Sequence, residues 1–138
     1  MGEDEECFLP ELERSAYRAG NGEFGWTREQ TPQVIGILRA HAMAILGGEL
    51  WYVKDGRITP SVPQREGPSA LYCWSTERDG GESWPSFVEH GATDALAAAE
   101  RWPEPGELPP SLPGQILCNL SLASEAEFED LRRQHDAL

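Results

Sequence analysis

Cations are scarce in this chain. It carries 11 Lys and Arg against 24 Asp and Glu in 138 residues, a formal charge of -13. That deficit excludes the basic groove or stripe by which proteins hold nucleic acid, and it repels anionic membranes. Long apolar runs are missing as well, since none approaches the ~20 residues of a membrane span. The first residues, Met1-Gly2-Glu3-Asp4-Glu5-Glu6, have neither the basic start nor the apolar stretch of a secretory signal. Glu6 stands where N-myristoylation needs Ser or Thr. These absences lead us to expect a cytoplasmic protein.

Cysteine is sparse and odd in number: Cys7, Cys73 and Cys118, with no C-x-x-C pair. This excludes a zinc ribbon or a thioredoxin-type site. Cys73 and Cys118 fall in apolar, strand-like runs and are expected to be buried and reduced; a disulfide between them would require neighbouring strands. Catalytic signatures are missing too. Gly47-Gly48 is followed by no G-K-[ST], and neither Cys73 with His41 nor Cys73 with His90 lies in a cysteine-enzyme signature. His90 and Asp94 share a helix face, but no other histidine lies near in sequence, so they read as a solvated face. The carboxylates are too scattered to single out a glycosidase-like pair. No catalytic residue, no metal ligand and no cofactor is expected.

What is present suffices for a folded domain. The chain is 39% hydrophobic with five Trp, and a chain this long buries roughly two-thirds of its unfolded surface without disulfide or metal. Residues 1–22 read as an acidic, partly loose arm and residues 23–138 as one domain. After Phe24-Gly25-Trp26, Thr27 and Gln30 form a capping box. Val34, Leu38, His41 and Ile45 then recur at helical spacing up to a stop at Gly47-Gly48. Glu49 to Val53 reads as a strand, turning at Asp55-Gly56 into a short strand at 57–59. Prolines 60, 63 and 68 mark a loop, residues 70–75 a strand, and Ser83 caps a second helix that Pro103 ends. A proline-rich loop leads to a strand at 115–122, and Ser124 with Glu127 caps a last helix. The order predicts an α+β fold, a single domain with a mainly antiparallel sheet of three to four strands and three helices packed on it. A directly paired parallel βαβ unit across 70–122 is the alternative arrangement.

The polar loop Glu77-Arg78-Asp79-Gly80-Gly81-Glu82 joins a strand to a helix, where rigid scaffolds commonly present function. Its acids suit a basic partner groove, and Trp84 in the first turn of the next helix suits an interface anchor. Glu77, Asp79, Glu82 and Trp84 are therefore the candidate partner-binding residues. Their plain alternative is a solvated connection with Trp84 tucked into the domain.

Three segments together carry a resemblance: Phe24-Gly25-Trp26-Thr27, Ala44-Ile45-Leu46-Gly47-Gly48-Glu49-Leu50-Trp51, and Trp74 to Phe87 with its Glu82-Ser83-Trp84. Over roughly residues 22–122 the chain resembles the immunity proteins of bacterial polymorphic toxin systems, most closely the family numbered forty. Glu49 stands where that family carries an acid after its glycine pair, Asp being the closer match. The resemblance implies a non-catalytic protein that neutralises a cognate toxin domain by stoichiometric binding. The acidic charge adds that the toxin's surface is basic. The competing readings are an acidic adaptor or regulatory subunit and, behind it, a small enzyme.

Overall fold

The computed structural model describes residues 10–20 and 22–136, so Cys7 and the acidic run around it lie outside the described residues. The chain forms α1 (Pro10–Ser15), β1 (Tyr17–Arg18), β2 (Phe24–Trp26), α2 (Thr31–Ala40), β3 (Ala44–Lys54) and β4 (Arg57–Thr59). It continues with β5 (Ser61–Val62), β6 (Ala70–Leu71), β7 (Cys73–Ser75), α3 (Trp84–Glu100), β8 (Gln115–Ala123) and α4 (Glu125–Asp136). The fold is α+β, as expected. The main sheet is ordered β1-β2-β8-β3-β4, with β7 also on β3, and every pairing in it is antiparallel. β5 and β6 pair separately. Strands beyond the expected set are two or three residues long, too short for an alternating pattern to show.

β3 is the centre of the sheet. One edge pairs with β8 from Ala44 to Val53. The other edge pairs with β7 at Gly47–Glu49 and with β4 at Tyr52–Lys54. β7 and β8 therefore run parallel to one another with β3 between them, and the direct parallel pair does not form. The core lies between this sheet and the helices: Val34, Ile35 and Leu38 of α2 and Ala92 and Ala95 of α3 cluster with Trp26, Ile45, Leu50, Cys118 and Leu120.

The glycine pair does not stop a helix. α2 ends at Ala40, and Ala42 takes the left-handed conformation at φ 58°. Ala42 N–H donates to Arg39 O and Met43 N–H to Leu38 O, the paired bonds of a Schellman stop. Gly47 and Gly48 lie inside β3, beside a register shift between Ile45 and Gly47. Packing requires them. A Cβ on Gly47 would lie 2.5 Å from Trp74 O, and one on Gly48 would lie 2.5 Å from both Asn119 O and the Trp74 ring. Helical periodicity through Ile45 misled because β3 begins with apolar residues that continue the helical spacing by chance. Phe24–Trp26 likewise is a strand on β8 and not the approach to a helix.

The caps form as their sequences indicate. Thr27 N–H donates to Gln30 Oε1 (2.8 Å) and Gln30 N–H to Thr27 Oγ1 (3.2 Å), one turn ahead of α2. Ser83 Oγ accepts from Ser86 N–H at 3.2 Å, and Ser124 and Glu127 close their reciprocal box at 2.8 and 3.2 Å. Part of the segment read as a loose arm is packed: Leu12 of α1 is buried and its carbonyl accepts Trp26 Nε1–H at 3.2 Å. Cys118 is buried as expected, but Cys73 is exposed. β7 is a short edge strand whose phase turns Tyr72 and Trp74 toward the core cluster, leaving Cys73 for the opposite face. Both thiols are free. Among the described residues no helix is long and apolar enough to cross a membrane.

Ala42 stands at C′, the position that helices ending in a left-handed turn usually give to glycine. An L-residue in the left-handed region costs ~1–2 kcal/mol, and the greater freedom of unfolded glycine returns ~0.4–1 kcal/mol of that. Ala42→Gly is therefore expected to stabilise the fold by about 0.5–1 kcal/mol, read as a higher urea midpoint at unchanged m-value; a lower midpoint would contradict this account of the helix stop.

Candidate partner-binding site

The 76–83 segment is held at both ends by its backbone and in the middle by its side chains. Thr76 N–H donates to Leu46 O of β3 at 2.9 Å. Thr76 Oγ1–H donates to Asp94 Oδ2 at 2.8 Å, and Asp94 lies 3.5 Å from His90 Nε2. The other imidazole nitrogen, Nδ1, lies 3.4 Å from the Glu82 carboxylate. A chain of polar contacts thus runs Thr76–Asp94–His90–Glu82 along the surface of α3.

The four predicted residues separate into two pairs. Glu77 and Asp79 are exposed, Asp79 with a carboxylate oxygen within 4.8 Å of Glu82 and His90. Glu82 is turned inward: its Oε1 accepts Asp79 N–H at 3.0 Å and its Oε2 accepts the Ser86 hydroxyl at 3.1 Å. The Asp79 backbone N–H is the main cause that holds the Glu82 carboxyl below its ordinary 4.5, with Ser86 and His90 adding to it and partial desolvation opposing. Trp84 is only 6% exposed. Its Nε1–H donates to Ala42 O at 2.9 Å, and its ring meets Phe87 edge-on and Phe128 at a tilt. The structure thus has Trp84 tucked into the domain, where it staples α3 to the turn after α2 and to α4.

Sequence reasoning missed Arg78. Its guanidinium lies over three rings, 5.4 Å from Trp84, 5.8 Å from Phe87 and 5.4 Å from Phe128. Its Nε–H donates to Glu82 O at 3.0 Å and its other end pairs with Glu129 of α4 at 3.3 Å. The one available signal was a lone cation among three acids. A half-buried cation over aromatic faces contributes ~0.5–2 kcal/mol, so Arg78 joins the loop to both helices beneath it.

Other groups offer less chemistry. Burial pushes the Cys118 thiol up to about 12 despite a hydrogen bond involving Thr31, so it is no nucleophile at neutral pH. Asp79, Glu82 and His90 place one ligand atom each within 4.8 Å of one another. Both Glu82 oxygens there already accept internal hydrogen bonds. An apolar cleft of about 350 Å³ lies between β7 and the end of α3, walled by Leu71, Tyr72, Trp74, Ala98 and Trp102.

Two expectations follow for the loop. Removing the Trp84 ring should cost about 3–5 kcal/mol, the range for large aromatic truncations in cores. Trp84→Ala should therefore lower the urea midpoint sharply, and an unchanged midpoint would return Trp84 to the surface. The depressed carboxyl of Glu82 gives stability that is fully present above its unfolded value of 4.5 and is lost as pH falls through the lower folded value. The stability gap between wild type and Glu82→Gln is expected to be largest near neutral pH and to close in acid. A gap independent of pH would contradict the assignment.

The comparisons with known proteins give one match. The sequence model of the family described as Immunity protein 40 matches residues 15–104, more than half of the chain, from β1 through α3 and the loop. No curated protein matches, and no solved structure matches. β8 and α4 lie beyond the matched segment. The match takes in the Gly47-Gly48-Glu49 strand, the Glu77–Glu82 loop and the Trp84 staple in one stretch, and on it the chain belongs to the Immunity protein 40 family.

Proposed function

We propose that the protein neutralises a cognate toxin domain by forming a stoichiometric complex with it, without catalysis. Family membership carries this reading, because an immunity role implies a toxin to bind. The charge of -13 supports a partner with a basic surface. Glu77 and Asp79 are the loop's contact acids in this proposal. Glu82 and Trp84 serve it indirectly, Glu82 by fixing the loop through Asp79 N–H and Trp84 by fixing the helix start on which the loop rests. A fixed loop loses little freedom on binding, which favours affinity. The protein acts in the cytoplasm, where it meets the toxin before damage is done.

The test takes as partner a candidate toxin domain sought in the neighbourhood of this gene. Co-expression should restore growth, and the purified pair should elute as one complex. The double reversal Glu77→Lys with Asp79→Lys should lower the association rate about tenfold or more at low salt, and by less as salt screens the field. Its urea midpoint should stay within experimental error of wild type. Failure of wild type to protect or to bind would refute the immunity mechanism; normal kinetics for the reversal would remove the loop from the interface.

A further inference from the structure

The sheet face turned away from α2 and α3 carries a polar row. Directly paired residues on adjacent strands share a face. The pairings Gly25↔Asn119, Asn119↔Glu49 and Glu49↔Cys73 set these residues in one line across β2, β8, β3 and β7. The next line on that face is Ser121, Gly47 and Ser75. On the reverse side of the same strands, Cys118, Leu50, Leu120 and Trp74 join the core. A cleft of about 460 Å³ lies over the polar lines, bordered by Glu23, Gly47, Glu49, Ser75, Asn119 and Ser121. Glu23 also borders two further clefts.

Among the described residues Asn119 brings an unpartnered acceptor to this cleft, beside the hydroxyls of Ser75 and Ser121. The residue is only 7% exposed. Its Nδ2–H donates to Phe24 O at 2.9 Å, and because a carbonyl can only accept, that bond fixes which end of the amide is oxygen. Among the described residues Oδ1 accepts no hydrogen bond, and Asn119 lines the cleft. Glu49 adds charge beyond what the fold requires. Its Oε2 accepts Trp51 Nε1–H at 2.9 Å, a bond that the amide oxygen of a glutamine can also accept, though more weakly. The site therefore presents a carboxylate and an amide oxygen side by side, with Glu23 as a second carboxylate at the rim and with Gly47 adding no side chain to the floor.

We propose that this cleft receives an arginine side chain of the toxin, its guanidinium donating to Glu49 and to Asn119 Oδ1. The inference rests on the toxin-binding reading and names the chemistry recognised. A planar fork of N–H donors suits two neighbouring acceptors, whereas the lysine ammonium is a strongly hydrated point charge with fewer donors. Glu49, the acid that follows the family's glycine pair, thereby gains a role that packing alone does not give it.

The cleft is tested first with the tripeptide Gly-Arg-Gly and its control Gly-Lys-Gly, titrated into ¹⁵N-labelled protein. The Trp51 indole N–H and the Asn119 side-chain amide are the reporters. Gly-Arg-Gly should shift both saturably, and Gly-Lys-Gly should need several times the concentration. Glu49→Gln, with its spectrum otherwise retained, should abolish the response, and Glu23→Gln should weaken it. No saturable shift at the two reporters, equal responses to both peptides, or full binding by Glu49→Gln would each overturn the proposal. With the toxin itself, Glu49→Gln should raise Kd about thirtyfold or more, as for truncation of a hydrogen-bonded charge pair. A toxin that binds wild type and Glu49→Gln alike overturns the arginine cleft and leaves the immunity reading intact. A toxin that binds neither overturns the immunity reading, and the peptide titration then still decides the cleft.

Discussion

The close contact of β7 with β3 at Gly47 and Gly48 is the constraint from which the rest follows. Trp74 lies so near these positions that neither tolerates a Cβ. Once that contact is made, β7 is fixed on the edge of β3 opposite β8, and Thr76 is delivered to Leu46 O. The start of the acidic loop is therefore set by the middle of the central strand. α3 follows the same logic: a Cβ on Gly91 would lie 2.5 Å from Ile45 O, so the helix rests almost on the strand's backbone. Gly48 and Gly91 are small for the same reason, that one element must touch another's main chain.

Arg78 is the second joint. A guanidinium among three rings would be costly if its donors were unmet, since a buried charge needs pairing. Here Glu82 O takes the Nε–H and Glu129 pairs with one Nη. The cation brings α4 against α3 from within a loop whose other charges are acidic. This also explains why Glu82 does not face solvent. Its carbonyl is needed by Arg78 and its carboxylate by the Asp79 N–H, so the residue's whole polar surface is spent on holding the loop's shape.

The α+β class, the helix at 84–100, the strand at 115–123 and the capping boxes were all legible in the sequence, because caps and long alternating strands are local signals. Three things were not. The end of α2 was hidden because its stop uses Ala42 in a left-handed turn, while the obvious glycines serve a strand. The exposure of Cys73 depended on the phase of a three-residue edge strand, which only its pairing to Glu49 defines. The burial of Trp84 depended on Phe128 and Ala42, both more than forty residues away in sequence. Glu77 and Asp79 were found from sequence as exposed loop acids, whereas the row through Glu49 and Asn119 needed the sheet order. β3 and β8 are far apart in the chain, and nothing local marks them as neighbours.

The charge balance joins these observations. Arg28 is held by Glu104, Arg39 by Glu89, Arg78 by Glu129 and Arg133 by Asp130. Cations engaged in such pairs cannot also neutralise the acids on the loop or the sheet face, and the chain has fewer than half as many cations as carboxylates. The surplus must be solvated or met from outside. Solvation costs nothing where the acid projects freely, as at Glu77. It is less complete for Glu49, which is half-buried in a cleft beside an amide oxygen that accepts no hydrogen bond among the described residues. Solubility alone would be served by charge at the exposed positions. Charge placed in a concavity, next to an acceptor that the described residues leave unmet, is better explained by a cation that arrives with a partner.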